Sequence, residues 1–380
     1  MDSAEVDGPV QITEARGFRA RRAFLRLPWQ IYKGDRVWVP PLLVQVRHML
    51  DTRRHPFYRH SEMKLFIARN NGRPAGRIAA IICRPHNEFH GEKVGFFGFF
   101  ECIDDRQVAC GLLDSARAWL AGQGMTTFRG PVSPSTNYEC GLLVDGFDLP
   151  PAIMMPYNPP WYPELLEAAG LRKAKDTYAY YLSNEMFSDR VKEMAAYLQR
   201  RSKLSLRRVE AKDLDREIEF IRSIYNSAWE KNWGFVPVDD EEFSHLAGEM
   251  KQIFKPELAL IGFVDGQPAG FSVALPNINE AIKPLNGRLF PFGIFRLLWR
   301  MRKINSSRLL LLGVKPEFRK SGLDILMYAS LLEGGRSLGY GWGELSWILE
   351  DNHDMRSVIE KIGGRRYKTY RFYEAGCAGT

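Results

Sequence analysis

The stretch Leu65–Gly76, LFIARNNGRPAG, recurs as Ala259–Gly270, ALIGFVDGQPAG, at an offset of 194 residues (266 − 72, between the turn glycines). In each copy an apolar run leads to Asn-Gly or Asp-Gly, and a second run follows. These dipeptides favour the tight turn of a β-hairpin because both of their residues tolerate positive φ. Each copy therefore predicts two antiparallel strands.

A second pair of segments repeats at nearly the same spacing. Leu165–Gly170, LLEAAG, matches Val358–Gly363, VIEKIG, at an offset of 193 (363 − 170), and a strand rich in Tyr follows each. Two matches at one spacing predict two copies of an α/β unit, with domains at 1–185 and 186–380. The alternative is chance, because such turns and glycines at helix ends are common.

The composition predicts a soluble globular protein with two hydrophobic cores. Of 380 residues, 45% are hydrophobic and 26% are charged. The longest apolar runs, Val94–Phe100 and Leu309–Val314, are far shorter than the roughly 20 residues that cross a bilayer. Met1–Val10 carries three acids and no apolar run, unlike a secretory signal or transit peptide. We expect a cytoplasmic protein.

Cysteine usage and charge exclude several classes of partner. The five cysteines form no C-x-x-C pair, and His86 and His90 lack the order of a zinc peptidase motif, so we expect no disulfide framework and no metal. The net charge of +8 favours acidic partners such as phosphate-bearing cofactors, anionic lipid or an acyl carrier protein. No nucleic-acid-binding module is recognisable, so we expect no nucleic acid partner.

One strand leads into a basic loop that is typical of phosphate binding. Arg308–Val314 predicts a buried strand, Lys315–Gly322 a short loop, and Leu323–Leu338 a helix. Backbone N–H groups at a helix N-terminus and the helix dipole attract anions, to which Arg319 and Lys320 add charge. Basic loops of this kind are also common at solvated surfaces.

This loop resembles the acetyl-coenzyme A loop of the GNAT superfamily of N-acetyltransferases, in the run Val314-x4-Arg319-x2-Gly322-x-Asp324. Glu344–Asn352, Met355–Gly363 and Tyr367–Tyr373 resemble the elements that follow it in that family. The resemblance implies an α/β (α+β) fold of two tandem GNAT-like domains, each a mixed, mainly antiparallel sheet flanked by helices, with acyl-CoA as co-substrate. It implies these cofactor-binding residues: Val314, Arg319, Lys320, Ser321, Gly322, Leu323, Asp324 and Asn352.

Two departures from the family pattern stand out. Asp324 replaces a small residue, and a carboxylate there repels phosphate unless it turns away or caps the helix. The first copy has the acidic segment Glu101–Gln107 where the loop should lie, without glycine. We therefore expect the N-terminal domain to be a degenerate, non-catalytic half.

Three further segments resemble a bacterial group of tandem acyltransferases that is similar to the bacterial ceramide synthases: Gly95–Glu101, Met154–Tyr162 and Trp347–Asn352. This resemblance implies transfer of a fatty acyl chain from acyl-CoA to a long-chain (sphingoid) base. Alternatives are a small amine or amino acid as acceptor, an acyl carrier protein as donor, or a non-catalytic binding module at the membrane surface.

Acyl transfer from a thioester to an amine needs a base, an oxyanion donor and an acid. The resemblance places the oxyanion donor at the backbone N–H near Val314. Glu344 and Glu350 share one face of a strand, and Glu350 is the candidate base, with a solvated carboxylate as the alternative. Tyr370 and Tyr373 are candidate acids by resemblance, or buried structural residues. Asn352 either binds the pantetheine amides or caps its helix.

Two segments are candidates for contact with substrate. Trp229, Asn232, Trp233 and Phe235 combine aromatic and amide side chains that suit an elongated apolar acceptor, although core packing explains aromatic residues equally well. Residues 276–307 form an insertion relative to the family.

The insertion contains a basic amphipathic stretch around Phe295 and Trp299. The pattern is typical of an interfacial helix on anionic lipid or of a lid over an acyl chain. The alternative is a helix packed on the core with a solvated basic side.

Overall fold

The computed structural model describes residues 10–201, 203–210, 214–230 and 232–377. They form two units. Unit 1 holds the described residues up to Asp176, Ile282–Phe290, and those from Tyr370 onward, and unit 2 holds the described residues of Thr177–Ala281 and Pro291–Thr369. Within the described ranges, no helix combines the length and the apolar composition needed to cross a bilayer.

The first half of the chain contains eight complete strands and six helices among its described residues. They are β1 (Val10–Glu14), α1 (Gly17–Arg26), α2 (Pro28–Ile31), α3 (Leu43–Met49), β2 (Ser61–Asn70), β3 (Arg73–Cys83), α4 (Arg84–His90), β4 (Val94–Cys102), α5 (Arg106–Gly122), β5 (Thr127–Gly130), β6 (Val132–Ser133), β7 (Glu139–Cys140), β8 (Leu142–Asp145) and α6 (Tyr162–Ala168).

The rest of the chain continues with β9 (Arg172–Ser183), α7 (Asp189–Arg201), β10 (Leu204–Arg208), α8 (Leu214–Trp229), α9 (Asp240–Lys251), β11 (Ala259–Val264), β12 (Gln267–Pro276), α10 (Asn279–Ile282), α11 (Gly293–Met301), β13 (Ser306–Val314), α12 (Leu323–Ser337), β14 (Trp342–Leu349), α13 (His353–Lys361) and β15 (Arg365–Gly376).

Both predicted hairpins form. β2 and β3 meet at Asn71 and Gly72, with φ of 51° and 74°, and β11 and β12 meet at Asp265 and Gly266, with φ of 50° and 78°. Positive φ at both turn residues gives the turn type that matches strand twist. Each hairpin also has a register shift at the equivalent place, after Ala68 and after Gly262, again 194 residues apart (262 − 68).

The sheets of the two units have matching strand orders. In unit 1 the order is β1-β2-β3-β4-β5 followed by the last residues of β15, and in unit 2 it is β10-β11-β12-β13-β14 followed by the last residues of β9. One neighbouring pair in each, β4 with β5 and β13 with β14, is parallel, and the other registers are antiparallel. The predicted α/β class with mixed, mainly antiparallel sheets is confirmed.

The units differ from a division of the chain at 185/186. The change from unit 1 to unit 2 falls inside β9, after Asp176, and β15 returns from unit 2 to unit 1 at Tyr370. Tyr373 pairs with Gly130 of β5, so the last strand of the chain completes the sheet of the first unit. The insertion is also divided, because Ile282–Phe290 belongs to unit 1.

Each unit has its own apolar core. In unit 1, α5 packs on β3 so closely that a Cβ on Gly76 would lie 2.6 Å from Leu112 Cδ1. In unit 2, α12 packs on one face of the sheet, where a Cβ on Gly262 would lie 2.5 Å from Met327 Cε. A second cluster on the other face joins α8 to Phe271.

The parallel pair of unit 1 separates after a short contact, and backbone fills the gap. β4 and β5 pair only from Val94–Phe96. Beyond that point β6 lies against β4, and the Phe99 N–H donates to Ser133 Oγ at 2.9 Å. A Cβ on Gly98 would lie 1.6 Å from the Val132 carbonyl oxygen, so only glycine allows this approach.

Replacing Gly98 with Ala should therefore destabilise the protein by about 3 kcal/mol, because the chain at Val132 must move. Urea denaturation measures the loss. Gly122→Ala in α5 is the matched control, since a Cβ there meets nothing within 4 Å, and its effect should stay within about 1 kcal/mol. Equal stability of the two variants would contradict this account of the packing.

Candidate active site

The parallel strands of unit 2 diverge and leave a cleft between them. β13 and β14 pair only from Ser306–Leu309 with Trp342–Leu345. Further on, β13 remains paired with β12 as far as Val314, and β14 with β9 as far as Leu349. Within 306–349, all of it described, the ends of these two strands make no ladder with each other. Backbone groups at this edge are thus left for a substrate amide or oxyanion.

The predicted basic loop lies at the end of this cleft's first strand. One 3₁₀ turn, Pro316–Phe318, follows β13, and α12 begins after Gly322. Gly322 has a φ of 88°, and a Cβ on it would lie 2.8 Å from Leu198 Cδ1, so the turn requires glycine. Ser321 Oγ accepts a hydrogen bond from the Leu323 N–H at 3.3 Å. Val314, Arg319, Lys320 and the other loop residues therefore come together as predicted from the sequence.

Asp324 already binds the helix N-terminus. Its carboxylate accepts hydrogen bonds from its own backbone N–H and from that of Ile325, and burial raises its pKa. The carboxylate thus occupies N–H groups that a bound phosphate would use. The loop fits a pyrophosphate in its glycine turn and its cations, on condition that Asp324 turns aside.

Glu344 lies at the start of the divergence in a closed polar network. It is fully buried on β14, opposite Arg308, whose Nε lies 3.7 Å from Glu344 Oε1. Ser346 Oγ and Tyr367 Oη donate to its two carboxylate oxygens. The Arg308 Nε also donates to Ser346 Oγ at 2.8 Å. Glu344 therefore positions Tyr367 and Arg308, and its oxygens are already engaged by donors.

Tyr367 is a site residue that sequence reasoning missed. It is half-buried, its ring lies 6.2 Å from that of Tyr181, and Tyr181 stacks on Trp342 at 5.0 Å. A tyrosine three residues before the candidate Tyr370 is the only signal in the sequence. It gives no indication of the partner, because Glu344 lies on another strand.

Glu350 and Asn352 lie in the turn after β14. Asn352 Oδ1 accepts a hydrogen bond from the Met355 N–H at 3.2 Å, so Asn352 caps α13. The Glu350 carbonyl oxygen accepts from Arg356 Nη1 at 2.7 Å, which fixes the turn, and the Glu350 side chain is half-buried. The role of Glu350 as base stays a prediction.

Tyr370 and Tyr373 lie on the part of β15 that belongs to unit 1, and both are fully buried. Tyr373 Oη donates to Glu167 Oε1 at 3.1 Å, and burial raises the pKa of Tyr373 to about 12. Tyr373 thus contributes to the core of unit 1, which is the structural alternative considered from the sequence. Their roles as acids stay predictions.

The predicted acceptor cluster packs largely on the sheet of unit 2. Trp229 stacks on Tyr225 at 4.9 Å and lies 5.5 Å from Phe271, and Phe235 is buried beside Tyr225. Core packing therefore accounts for these two predicted residues. Asn232 and Trp233, in the turn that follows, are half-buried. In contrast, Phe295 and Trp299 of α11 are 69% and 54% exposed.

Removing the carboxylate of Asp324 should strengthen binding of coenzyme A roughly three- to tenfold, because N–H groups at the α12 N-terminus become available to the pyrophosphate. Titration calorimetry of Asp324→Ala against the unchanged protein measures this. The difference should narrow at lower pH, where protonation of Asp324 weakens its competition. Asp354→Ala, in the first turn of α13, is the control and should leave the affinity unchanged. Weaker binding by Asp324→Ala would show that the carboxylate supports the site.

Comparisons with known proteins agree with this geometry. No family model matches the chain. A tandem GNAT protein of the clavulanic acid biosynthesis pathway covers 98% of this chain and 100% of its own, with a TM-score of 0.59 and 14% identity. A GCN5-related N-acetyltransferase from Sphaerobacter thermophilus covers 97% and 96%, with a TM-score of 0.55 and 11% identity. These similarities show a tandem GNAT fold, as predicted.

Two curated proteins are similar over nearly their whole length. Protein YghO of Escherichia coli (strain K12) is 37% identical over 361 residues, which cover 93% of this chain and 92% of that protein. The bacterial ceramide synthase of Caulobacter vibrioides is 37% identical over 366 residues, which cover 93% and 94%. The prediction of a tandem GNAT acyltransferase enzyme is thereby confirmed, and the chain belongs to the family of the bacterial ceramide synthase and YghO.

Proposed function

We propose that the chain transfers a long acyl group from acyl-CoA to the primary amine of a long-chain (sphingoid) base. The observation that carries this proposal is the open divergence of β13 and β14 beside a basic loop and a glycine turn. In unit 1 the equivalent divergence is filled by Val132 and Ser133. The name of the Caulobacter relative supports the choice of acceptor.

The walls of the cleft suit a lipid. Leu309, Leu310 and Leu311 of β13 are all half-buried where the strand leaves its parallel partner. Leu311 also packs against the aromatic cluster of Trp229 and Phe271. An apolar strand edge offers few partners to a small polar acceptor, whereas it favours burial of a hydrocarbon chain. A small amine or amino acid is the alternative acceptor.

In the proposed reaction the neutral amine attacks the thioester carbon, and the C–S bond breaks. The backbone N–H near Val314 donates to the oxyanion while the carbonyl carbon is tetrahedral. Glu350 takes the ammonium proton, directly or through water, and the leaving thiolate gains a proton. Arg319 and Lys320 hold the pyrophosphate of the donor.

Lipid acceptors and long acyl chains reside in membranes. The proposed setting is therefore the cytoplasm, with peripheral contact at the inner face of the membrane. An acyl carrier protein is the alternative donor, since its acidic surface and phosphopantetheine arm also suit a basic site.

The test incubates purified protein with labelled palmitoyl-CoA, or palmitoyl carrier protein, and a panel of long-chain bases, small amines and amino acids, with products identified by mass. We expect an N-acyl long-chain base from palmitoyl-CoA. Arg319→Glu should raise the KM for palmitoyl-CoA at least about tenfold, because one loop cation becomes an anion. Arg172→Glu, an exposed residue of unit 1, is the control for net charge. Products from small amines alone would contradict the proposed acceptor, and no product with either donor would contradict catalysis.

A further inference from the structure

Helix α11 has a buried side and an exposed apolar side. Leu297 is 8% exposed and anchors the helix, whereas Phe292 is 76%, Phe295 69%, Leu298 56% and Trp299 54% exposed. At 100° per residue, these four lie within about one third of the helix circumference, opposite Leu297. We call them the exposed stripe of α11.

The structure therefore decides between the alternatives for this segment. The sequence also allowed a helix packed on the core, with Ile294, Leu297, Leu298 and Met301 turned inward. Of these, only Leu297 is buried, Met301 is half-buried, and Ile294 and Leu298 face solvent. An exposed run of large apolar side chains marks an interaction surface, because solvating it costs free energy that contact would recover.

Cations border the exposed stripe. Arg296, Arg302 and Lys303 are exposed, Arg300 is half-buried, and Lys303 Nζ lies 3.8 Å above the ring of Trp299. Among the described residues, no carboxylate forms an ion pair with any of the four. The chain has no Asp or Glu from 281 to 316. The surface thus combines aromatic side chains with uncompensated positive charge.

We propose that α11 lies in the interface of an anionic lipid bilayer, with the exposed stripe inserted among the lipids. Phe and Trp partition into the headgroup region, and each cation near an anionic surface adds roughly a fivefold factor to the affinity. A Trp ring beneath a Lys ammonium places the apolar part deep and the charge at the headgroups. Delivery of lipid substrates by this contact rests on the proposed function, whereas the docking itself does not.

The experiment sediments the full-length chain with vesicles, without any acyl donor or acceptor. One set of vesicles is phosphatidylcholine alone, and the other contains equal parts of phosphatidylcholine and phosphatidylglycerol. We expect binding to the anionic vesicles that weakens as salt is raised, and little binding to the neutral ones. Because no substrate is present, this result is independent of catalysis.

Two double variants test the surface. Phe295→Ser with Trp299→Ser, and Arg296→Glu with Arg302→Glu, should each weaken binding to anionic vesicles at least roughly tenfold. Val44→Ser, 56% exposed on α3, is the control for loss of an apolar side chain. Arg53→Glu with Arg73→Glu, both exposed, is the control for net charge. Thermal melting verifies that each variant folds.

Three results would overturn the proposal. The first is unchanged vesicle binding by both stripe variants. The second is binding of an acidic acyl carrier protein, or self-association, that depends on the stripe in a chain that does not bind vesicles. The third is a higher KM for palmitoyl-CoA in detergent with unchanged vesicle binding, which would make α11 a lid.

Discussion

The candidate site depends on two parallel strands that cannot stay paired. β13 and β14 share four residue pairs, and each then follows its other neighbour. A register shift after Val273 changes the course of β13 against β12, and a second shift between Leu345 and Ile348 does the same for β14 against β9. Because these shifts lie at the level where the ladder ends, the antiparallel neighbours hold the strands apart. The cleft is thus a property of the whole sheet.

The duplication shows how one scaffold gives an open cleft in one unit and a closed one in the other. In unit 1 the chain after β5 turns back, and Val132 fills the gap against Gly98. The helix after the gap is capped by Asp105, whose carboxylate accepts from the N–H groups of Gln107 and Val108. Asp324 makes a similar contact in unit 2, but there the gap remains open. The state of the cleft, rather than the helix terminus, distinguishes the two units.

Local signals in the sequence predicted the hairpins, the glycine turn at Gly322 and the capping by Asn352, because each depends on a few neighbouring residues. The exchange of strand ends could not be predicted, since Tyr373 pairs with Gly130 across more than half the chain. The contact between Tyr367 and Glu344 was missed for the same reason. The exposed side of α11 was ambiguous, because residues such as Leu298 fit either a core or a solvent-facing stripe.

The most direct measurement is hydrogen–deuterium exchange of the chain with and without palmitoyl-CoA. The account predicts slower exchange in 310–314 and 319–324 of unit 2 when the donor is present, because the thioester arm would cover the free edge of β13 and the pyrophosphate the loop. Residues 97–102 of β4 should exchange equally in both samples. Protection confined to unit 1, or no protection along β13, would contradict the assignment of the donor to this cleft.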